Sequence, residues 1–584
     1  MKSNSNYVLF KNGVLILLLL VSNINFAQTK VEQIEELLST YEAYGEFNGS
    51  VLVSDQGKVL YKKGFGMANM EWDIPNQPNT KHRLGSITKQ FTAMLILQLV
   101  AEGKLDLKAP ITTYLPDYPK TSGDVITIHH LLTHTSGIPN YTAFPKFMED
   151  ESRNPYTPEE FLKTFADKAL DFTPGDKFSY SNSGYFLLGV LIEKLAGKSY
   201  EKMLQDKIFI PLNMKDSGYD NHGDILKNRA TGYEKQGVNY INSNYIDMTI
   251  PYAAGSMYST VEDLYKWDQA LYTTSILPKE YMTLYFKPYI PSGNRHYAYG
   301  WVVGYAKIGK STDSIYTIEH GGGINGFNTN ISRTTSNNSL VVLLNNTGRA
   351  PLNDMTKAIR GILHGKEYDM PKKSVANSVL AVIEAKGIEA GISHFNSIKD
   401  SENYSLSENE MNTIGYQLME SDKVAEANKV FQLIIKEFPT SSNAYDSFGE
   451  SLMKLGKNDL AIKNYRKSVA LNPNNQSGID SLKNLGDDVS DLEKEVKVSN
   501  AILETYIGKY ELMPGFILTV TKEGNQLKTQ ATGQPVIDVF PKSENEFYLK
   551  VVNAQLVFNK NDTGAIDSVT LFQGGREVKG KKID

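Results

Sequence analysis

The chain has 584 residues, more than one hydrophobic core normally organises, so several domains are expected. Hydrophobic residues make up 41% and charged residues 22%, the balance of a globular protein, and a net charge of -5 is the wrong sign for a nucleic-acid surface. There is no cysteine, which excludes disulfides, thiol nucleophiles, thiolate metal sites and lipid attachment through sulfur.

In chain order, Lys2 and Lys11 give a positive segment ahead of an apolar run at 14–21 (VLILLLLV), and Asn25-Phe26-Ala27 ends in a small residue. This reads as a cleavable export signal over 1–27, too short to span a bilayer, which needs about 20 apolar residues. The mature protein is expected in the periplasm or secreted, with no membrane span.

Residues 30–365 read as one α+β domain. Stretches 50–54 and 58–63 form a hairpin around Asp55-Gln56-Gly57. Residues 86–102 predict a helix stopped by Gly103, and its segment Met94-Leu95-Ile96-Leu97 is apolar on all sides, which predicts burial. Strand-like stretches return only at 314–320, 327–333 and 339–345. The layout predicts one antiparallel sheet built from both ends of the domain, with a helical insert between.

A 34-residue period follows: Gly415 and Gly449, Ala427 and Ala461, Phe431 and Tyr465, Pro439 and Pro473. These are the small, aromatic and helix-ending positions of tetratricopeptide repeats, here at about 411–443 and 444–477 within a helical region 374–486. Two repeats bury little surface alone, so 375–398 is expected to add a third helical layer. Such repeats suit a protein partner or packing on the preceding domain. From 500 to 584, alternation at Phe516, Leu518 and Val520, at Phe547, Leu549 and Val551, and at Ala554, Leu556 and Phe558, with turns at 523–525 and 562–564, reads as a small all-β barrel or sandwich.

Three short motifs carry chemistry. Ser86-Ile87-Thr88-Lys89 puts a serine and a lysine on one helix face; burial and the helix dipole would lower the lysine pKa and make it a base for the serine. Ser199-Tyr200-Glu201-Lys202 and Ser451-Leu452-Met453-Lys454 share the spacing but read as helix surface, whereas Ser86 follows Gly85 and opens a buried helix. In Tyr180-Ser181-Asn182, Tyr180 near a cationic lysine could share a proton and relay it, and Asn182 could bind a substrate amide. His320-Gly321-Gly322-Gly323 ends a strand; the glycines would let a substrate lie against its edge, and the Gly323 and Ser86 N–H groups could form an oxyanion hole.

In this order the motifs resemble those of the penicillin-binding-protein and class C β-lactamase superfamily of serine hydrolases. The surrounding segments 83–89 (RLGSITK), 131–137 (LLTHTSG), 254–259 (AGSMYS) and Tyr299-Gly300-Trp301 are similar too. The resemblance implies an α/β sandwich with the site between sheet and helices, Ser86 as nucleophile, Lys89 and Tyr180 as the base system, and Asn182, His320 and Gly322 on the substrate. It implies an acyl-enzyme that cleaves an amide or ester, in a D-amino-acid peptide, possible cell-wall fragment or small ester, and no metal or other cofactor. Most β-lactamases of the group carry lysine where this chain has His320. A free histidine side chain titrates at about 6.5, so His320 would hold a substrate carboxylate only at lower pH, and carboxylate substrates should lose to neutral esters between about pH 5.5 and 8. The terminal segment from Glu504 resembles a lipocalin-like β-domain found after such hydrolases.

Competing readings are a true class C-like β-lactamase and a catalytically silent sensor or scaffold on the same fold. An α/β-hydrolase would need a Gly-x-Ser-x-Gly elbow, which the sequence lacks. A zinc protease would need glutamate after His130, where Leu131 stands. All three motifs precede residue 330, so chemistry is expected to need nothing after about 370.

Overall fold

The computed structural model describes residues 28–236, 239–492, 498–513, 515–549, 551–552, 554–561, 563–573 and 576–584. The expected export signal lies outside them, as does Asp562 of one expected turn. Among the described residues no helix is long and apolar enough to cross a membrane. The chain divides into two compact units, up to Glu410 and from Met411.

The first unit is built on one eight-stranded sheet. Its strands are β1 (Gly49–Asp55), β2 (Lys58–Phe65), β3 (Ile290–Ser292), β4 (Arg295–Tyr297), β5 (Val302–Lys307), β6 (Ser314–Ile324), β7 (Phe327–Thr334) and β8 (Ser339–Asn345). They run antiparallel in the order β3-β4-β5-β6-β7-β8-β1-β2. The sheet is thus assembled from both ends of the domain, as expected. The late strands begin earlier than the sequence suggested, because β3 and β4 are short, polar hairpin strands with little apolar alternation.

Both faces of the sheet are covered, which explains the continuous apolar runs in β1 and β8. Val51, Val53, Val341 and Leu343 point into a core with α1 (Lys30–Ala43). Leu52, Leu340, Val342 and Leu344 point the other way, into a larger core with α2 (Thr88–Ala101) and α3 (Asn182–Ala196). The period of two in a strand sorts neighbouring residues into opposite cores. Helix α4 (Leu352–Leu363) joins α1 through Met355, Ile359 and Ile362. Helix α2 is buried from Thr88 to Leu99, so its all-round apolar sequence marks the centre of the larger core. A 3-10 turn, Gly85–Ile87, leads into it.

Helices α5 (Val375–Lys386) and α6 (Ile388–Ile398) fall within the first compact unit rather than with the repeats, and that unit continues to Glu410. A chain cut near Met370 would therefore lose part of it.

The second unit starts within α7 (Glu408–Glu420), which is followed by α8 (Val424–Glu437), α9 (Ser442–Lys454), α10 (Asn458–Leu471) and α11 (Gln476–Asn484). The 34-residue spacing has a local cause. A Cβ on Gly415 would come within 2.5 Å of the Phe431 ring, and one on Gly449 within 3.2 Å of the Tyr465 ring. In each pair a hydrogen side chain on one helix receives an aromatic ring from the next.

Eight further strands close a barrel: β9 (Gly508–Met513), β10 (Phe516–Glu523), β11 (Gln526–Ala531), β12 (Ile537–Pro541), β13 (Glu546–Leu549), β14 (Ala554–Lys560), β15 (Ile566–Gln573) and β16 (Arg576–Lys582). Closure is through Tyr510 opposite Lys582. Leu518, Val520, Phe547, Leu556 and Phe558 fill the interior. Val551, expected to continue the β13 alternation, lies beyond the strand and is exposed.

Candidate active site

Three segments distant in sequence meet where α2 begins. Gly85 adopts φ +55°, and a Cβ there would stand 2.9 Å from both N and O of Gly323. That approach brings the backbone at Ser86 against the end of β6. The next turn puts Lys89 under Ser86: Lys89 Nζ lies 3.1 Å from Ser86 Oγ. It also lies 2.8 Å from Asn182 Oδ1, at the start of α3, and 2.8 Å from the Ala254 carbonyl oxygen.

These contacts define what the amine can do. Lys89 is fully buried, and burial drives its pKa well below the ordinary lysine value. A neutral amine has two N–H groups and one lone pair. Asn182 Oδ1 and the Ala254 carbonyl can only accept here, so a neutral amine would give them its two N–H groups and turn its lone pair to the Ser86 hydroxyl. Ser86 itself is half-buried and lines the pocket. Tyr180 lines the same pocket as Ser86, and Lys89 Nζ lies 4.9 Å from the Tyr180 ring centroid. Burial pushes the Tyr180 hydroxyl above its ordinary pKa, against the opposing effect of Ser86. Burial thus works against the charged form of both groups, the Lys89 ammonium and the Tyr180 phenolate.

His320 also departs from expectation. Its Nδ1 lies 2.6 Å from the Gly321 carbonyl, which only accepts, so Nδ1 carries the proton. Its Nε2 then accepts from the Tyr297 hydroxyl at 3.0 Å. Both ring nitrogens are engaged, and burial, reinforced by Lys89, pulls the pKa down to about 4. A histidine that changes charge between pH 5.5 and 8 is therefore not what stands at this position.

The glycines of the third motif have separate reasons. A Cβ on Gly322 would meet the Leu84 carbonyl oxygen at 1.9 Å, so Gly322 is dictated by packing against the segment that carries Ser86. A Cβ on Gly323 would meet nothing within 4 Å. Strand β5 pairs with β6 only as far as Val302 opposite Glu319, whereas β6 stays paired to β7 up to Ile324. Residues 320–324 thus present a free edge beside Ser86. Ser86, Tyr180, His320 and Gly321–323, with 328–330 and 350–354, line a pocket of about 540 Å³.

The structure brings together Ser86, Lys89, Tyr180, Asn182, His320, Gly322 and Gly323. Motif reading singled out 254–259 but missed the role of the Ala254 carbonyl, which any residue could supply, and it missed Tyr297, which is one of 34 tyrosines. The histidines weighed as zinc ligands have other partners: His129 Nδ1 meets the Tyr299 hydroxyl, His130 caps a helix through Thr127, and His134 Nδ1 accepts from Ser181 N–H.

Known proteins agree with this fold. Residues 34–364 match the family model described as Beta-lactamase, and 492–582 match one described as a domain of unknown function (DUF3471). The chain belongs to the beta-lactamase family, serine hydrolases that include the penicillin-binding proteins. PbpX of Bacillus subtilis, named as a penicillin-binding protein, is 31% identical over 276 residues, 47% of this chain and 67% of its own. A penicillin-binding protein structure from Bacillus halodurans is 27% identical with a TM-score of 0.51, over 56% of this chain and 98% of that one. The octameric penicillin-binding protein homologue of Pyrococcus abyssi shares the fold over 94% of this chain and 99% of its own, at 23% identity and a TM-score of 0.51.

Proposed function

We propose that this chain is an exported serine hydrolase that forms an acyl-enzyme on Ser86 and cleaves an amide or ester bond in a D-amino-acid peptide or small ester. The observation that carries the reading is the buried Lys89 Nζ, 3.1 Å from Ser86 Oγ and 2.8 Å from both Asn182 Oδ1 and the Ala254 carbonyl, contacts that would leave the lone pair of a neutral amine for Ser86. In the first step Ser86 Oγ bonds to the acyl carbon and its proton passes to Lys89 Nζ. The oxyanion is taken by the Ser86 and Gly323 N–H groups. Tyr180, which holds its proton, is placed beside Ser86 to pass one to the leaving group. Water then releases the acyl group by the reverse proton path.

Among the described residues that line the pocket, Asp354 alone bears a formal charge at neutral pH, given a neutral His320. This supports uncharged acyl donors over β-lactams, whose carboxylate finds no cation in the lining. Export through the segment 1–27 would bring the enzyme to cell-wall-derived peptides, and the paired helices of the second unit suit a protein partner.

A fluorophosphonate probe tests the reading. One adduct is expected, on Ser86. An adduct on Ser199 or Ser136, or labelling that persists in Ser86→Ala, would remove the assignment. A folded protein that takes no label and turns over no member of a panel of esters, D-alanyl dipeptides, L-peptides and β-lactams would be the silent sensor instead.

A further inference from the structure

The proton path through Ser86, Lys89 and Tyr180 leaves one buried ionisable group beside the site unused. His134 is 1% exposed and adopts φ +57°, a left-handed conformation uncommon outside glycine, although histidine takes it more readily than most side chains. Two hydrogen bonds explain why it is held there. The His134 carbonyl accepts from Ser179 N–H at 2.8 Å, and its ring Nδ1 accepts from Ser181 N–H at 3.1 Å. These bonds pin the residues on either side of Tyr180. The imidazole also lies against the Tyr180 ring, centroids 4.2 Å apart and planes 33° apart, with Tyr185 and Tyr297 at 5.0 and 4.7 Å around it. Because a backbone N–H can only donate, Nδ1 must be unprotonated and the ring neutral. Its Nε2 has no hydrogen-bond partner among the described residues. A buried polar ring that leaves one nitrogen unsatisfied for two contacts to one tripeptide is costly unless those contacts matter.

We infer that His134 is a positioning residue that sets the Tyr180 hydroxyl on Ser86, through the bonds at 179 and 181 and the ring stack. This rests on the reading of Ser86 as the acylated nucleophile. His134→Gly tolerates the positive φ but removes both ring and acceptor. His134→Asn tolerates it too and keeps an oxygen acceptor near the Nδ1 position.

The test is the single-turnover rate of Ser86 labelling by a fluorophosphonate, with thermal midpoints recorded for each full-length variant. His134→Gly should slow labelling about 10- to 100-fold, and His134→Asn should recover most of that loss. In a Tyr180→Phe background, His134→Gly should cost less than about threefold more, because the hydroxyl it positions is gone. Native-rate labelling in His134→Gly, or losses that multiply fully in the double variant, would overturn the inference. If His134→Gly does not fold, the same cycle is run with His134→Asn, whose smaller loss must also vanish with Tyr180→Phe. Label landing elsewhere than Ser86 would instead remove the underlying mechanism, so the two failures are distinguishable.

Discussion

Ser86–Lys89 in the first unit and Ser451–Lys454 in the second share one spacing and have opposite burial. At the first, the lysine is sealed and the serine opens on a pocket. At the second, Ser451 is fully buried, bonded to Phe448 O and Asn428, while Lys454 is about half exposed and pairs with Glu450. Ser451 is therefore a core residue, not the helix surface its sequence suggested. At Ser199–Lys202 both residues face solvent: the serine caps a helix and the lysine pairs with Asp206. A Ser-x-x-Lys pattern fixes only which residues share a helix face. What makes a base of the lysine is the loss of water around it and two carbonyl acceptors, and neither is visible in four residues.

The sharpest way to break the comparison is to remove each lysine. Lys89→Ala should lower kcat/KM for a small ester about a thousandfold or more, while Lys202→Ala and Lys454→Ala stay within about twofold. Equal losses at the three positions would show that burial does not select the base. Lys89→Ala and Tyr180→Phe together should cost far less than the product of the single losses, because one proton path uses both.

The next contrast lies in stability. All nine histidines precede residue 411. His82 and His320 are buried neutral, with pKa values pulled down by burial to about 4. Below the unfolded value of about 6.5 the unfolded state binds more protons, so stability falls as pH drops from about 6.5 and levels off below about 4. The slope is about 1.4 kcal/mol per pH unit for each such histidine. Calorimetry between pH 7 and 4 should show this loss in the transition of the first unit. The second unit, with no histidine, should lack it.

Smaller still is the effect of a single methyl. Gly322→Ala should destabilise the first unit by about 1–3 kcal/mol, since its Cβ meets the Leu84 carbonyl. Gly323→Ala should leave the thermal midpoint unchanged, because open space surrounds that position. The smallest expected effect is none: the kcat/KM ratio of a carboxylate substrate to a neutral ester should stay flat from pH 5.5 to 8. A ratio that falls would restore a titrating charge to His320.

Much of this was legible in the sequence. The strands β7 and β8 and the buried helix α2 followed from apolar runs, and the meeting of Ser86 with Lys89 from their order among the motifs. Protonation states were not legible, because they depend on what surrounds a side chain. His320 looked like a switch near neutrality until the Gly321 carbonyl and Tyr297 hydroxyl filled its two nitrogens. The strands β3 and β4 were missed because short polar strands carry little pattern. Val375–Lys386 and Ile388–Ile398 have helical periodicity that gives no sign of which unit they join.

The order of strands in the sheet also sets when this protein can begin to work. Strand β8 lies between β7 and β1, and Asn48 N–H bonds to the Asn345 side chain across 297 positions of chain. The hairpin β1–β2 therefore has no neighbour to join until nearly the whole domain has been synthesised. Pairings this distant must overcome a large loop-closure entropy, which makes folding slow. The junction of Gly85 with Gly323 forms only once those segments meet, so a nascent or clipped chain that carries Ser86 without β6 lacks the pocket that β6 lines. The pocket beside Ser86 is thus a product of completed folding, absent while the polypeptide is still being made.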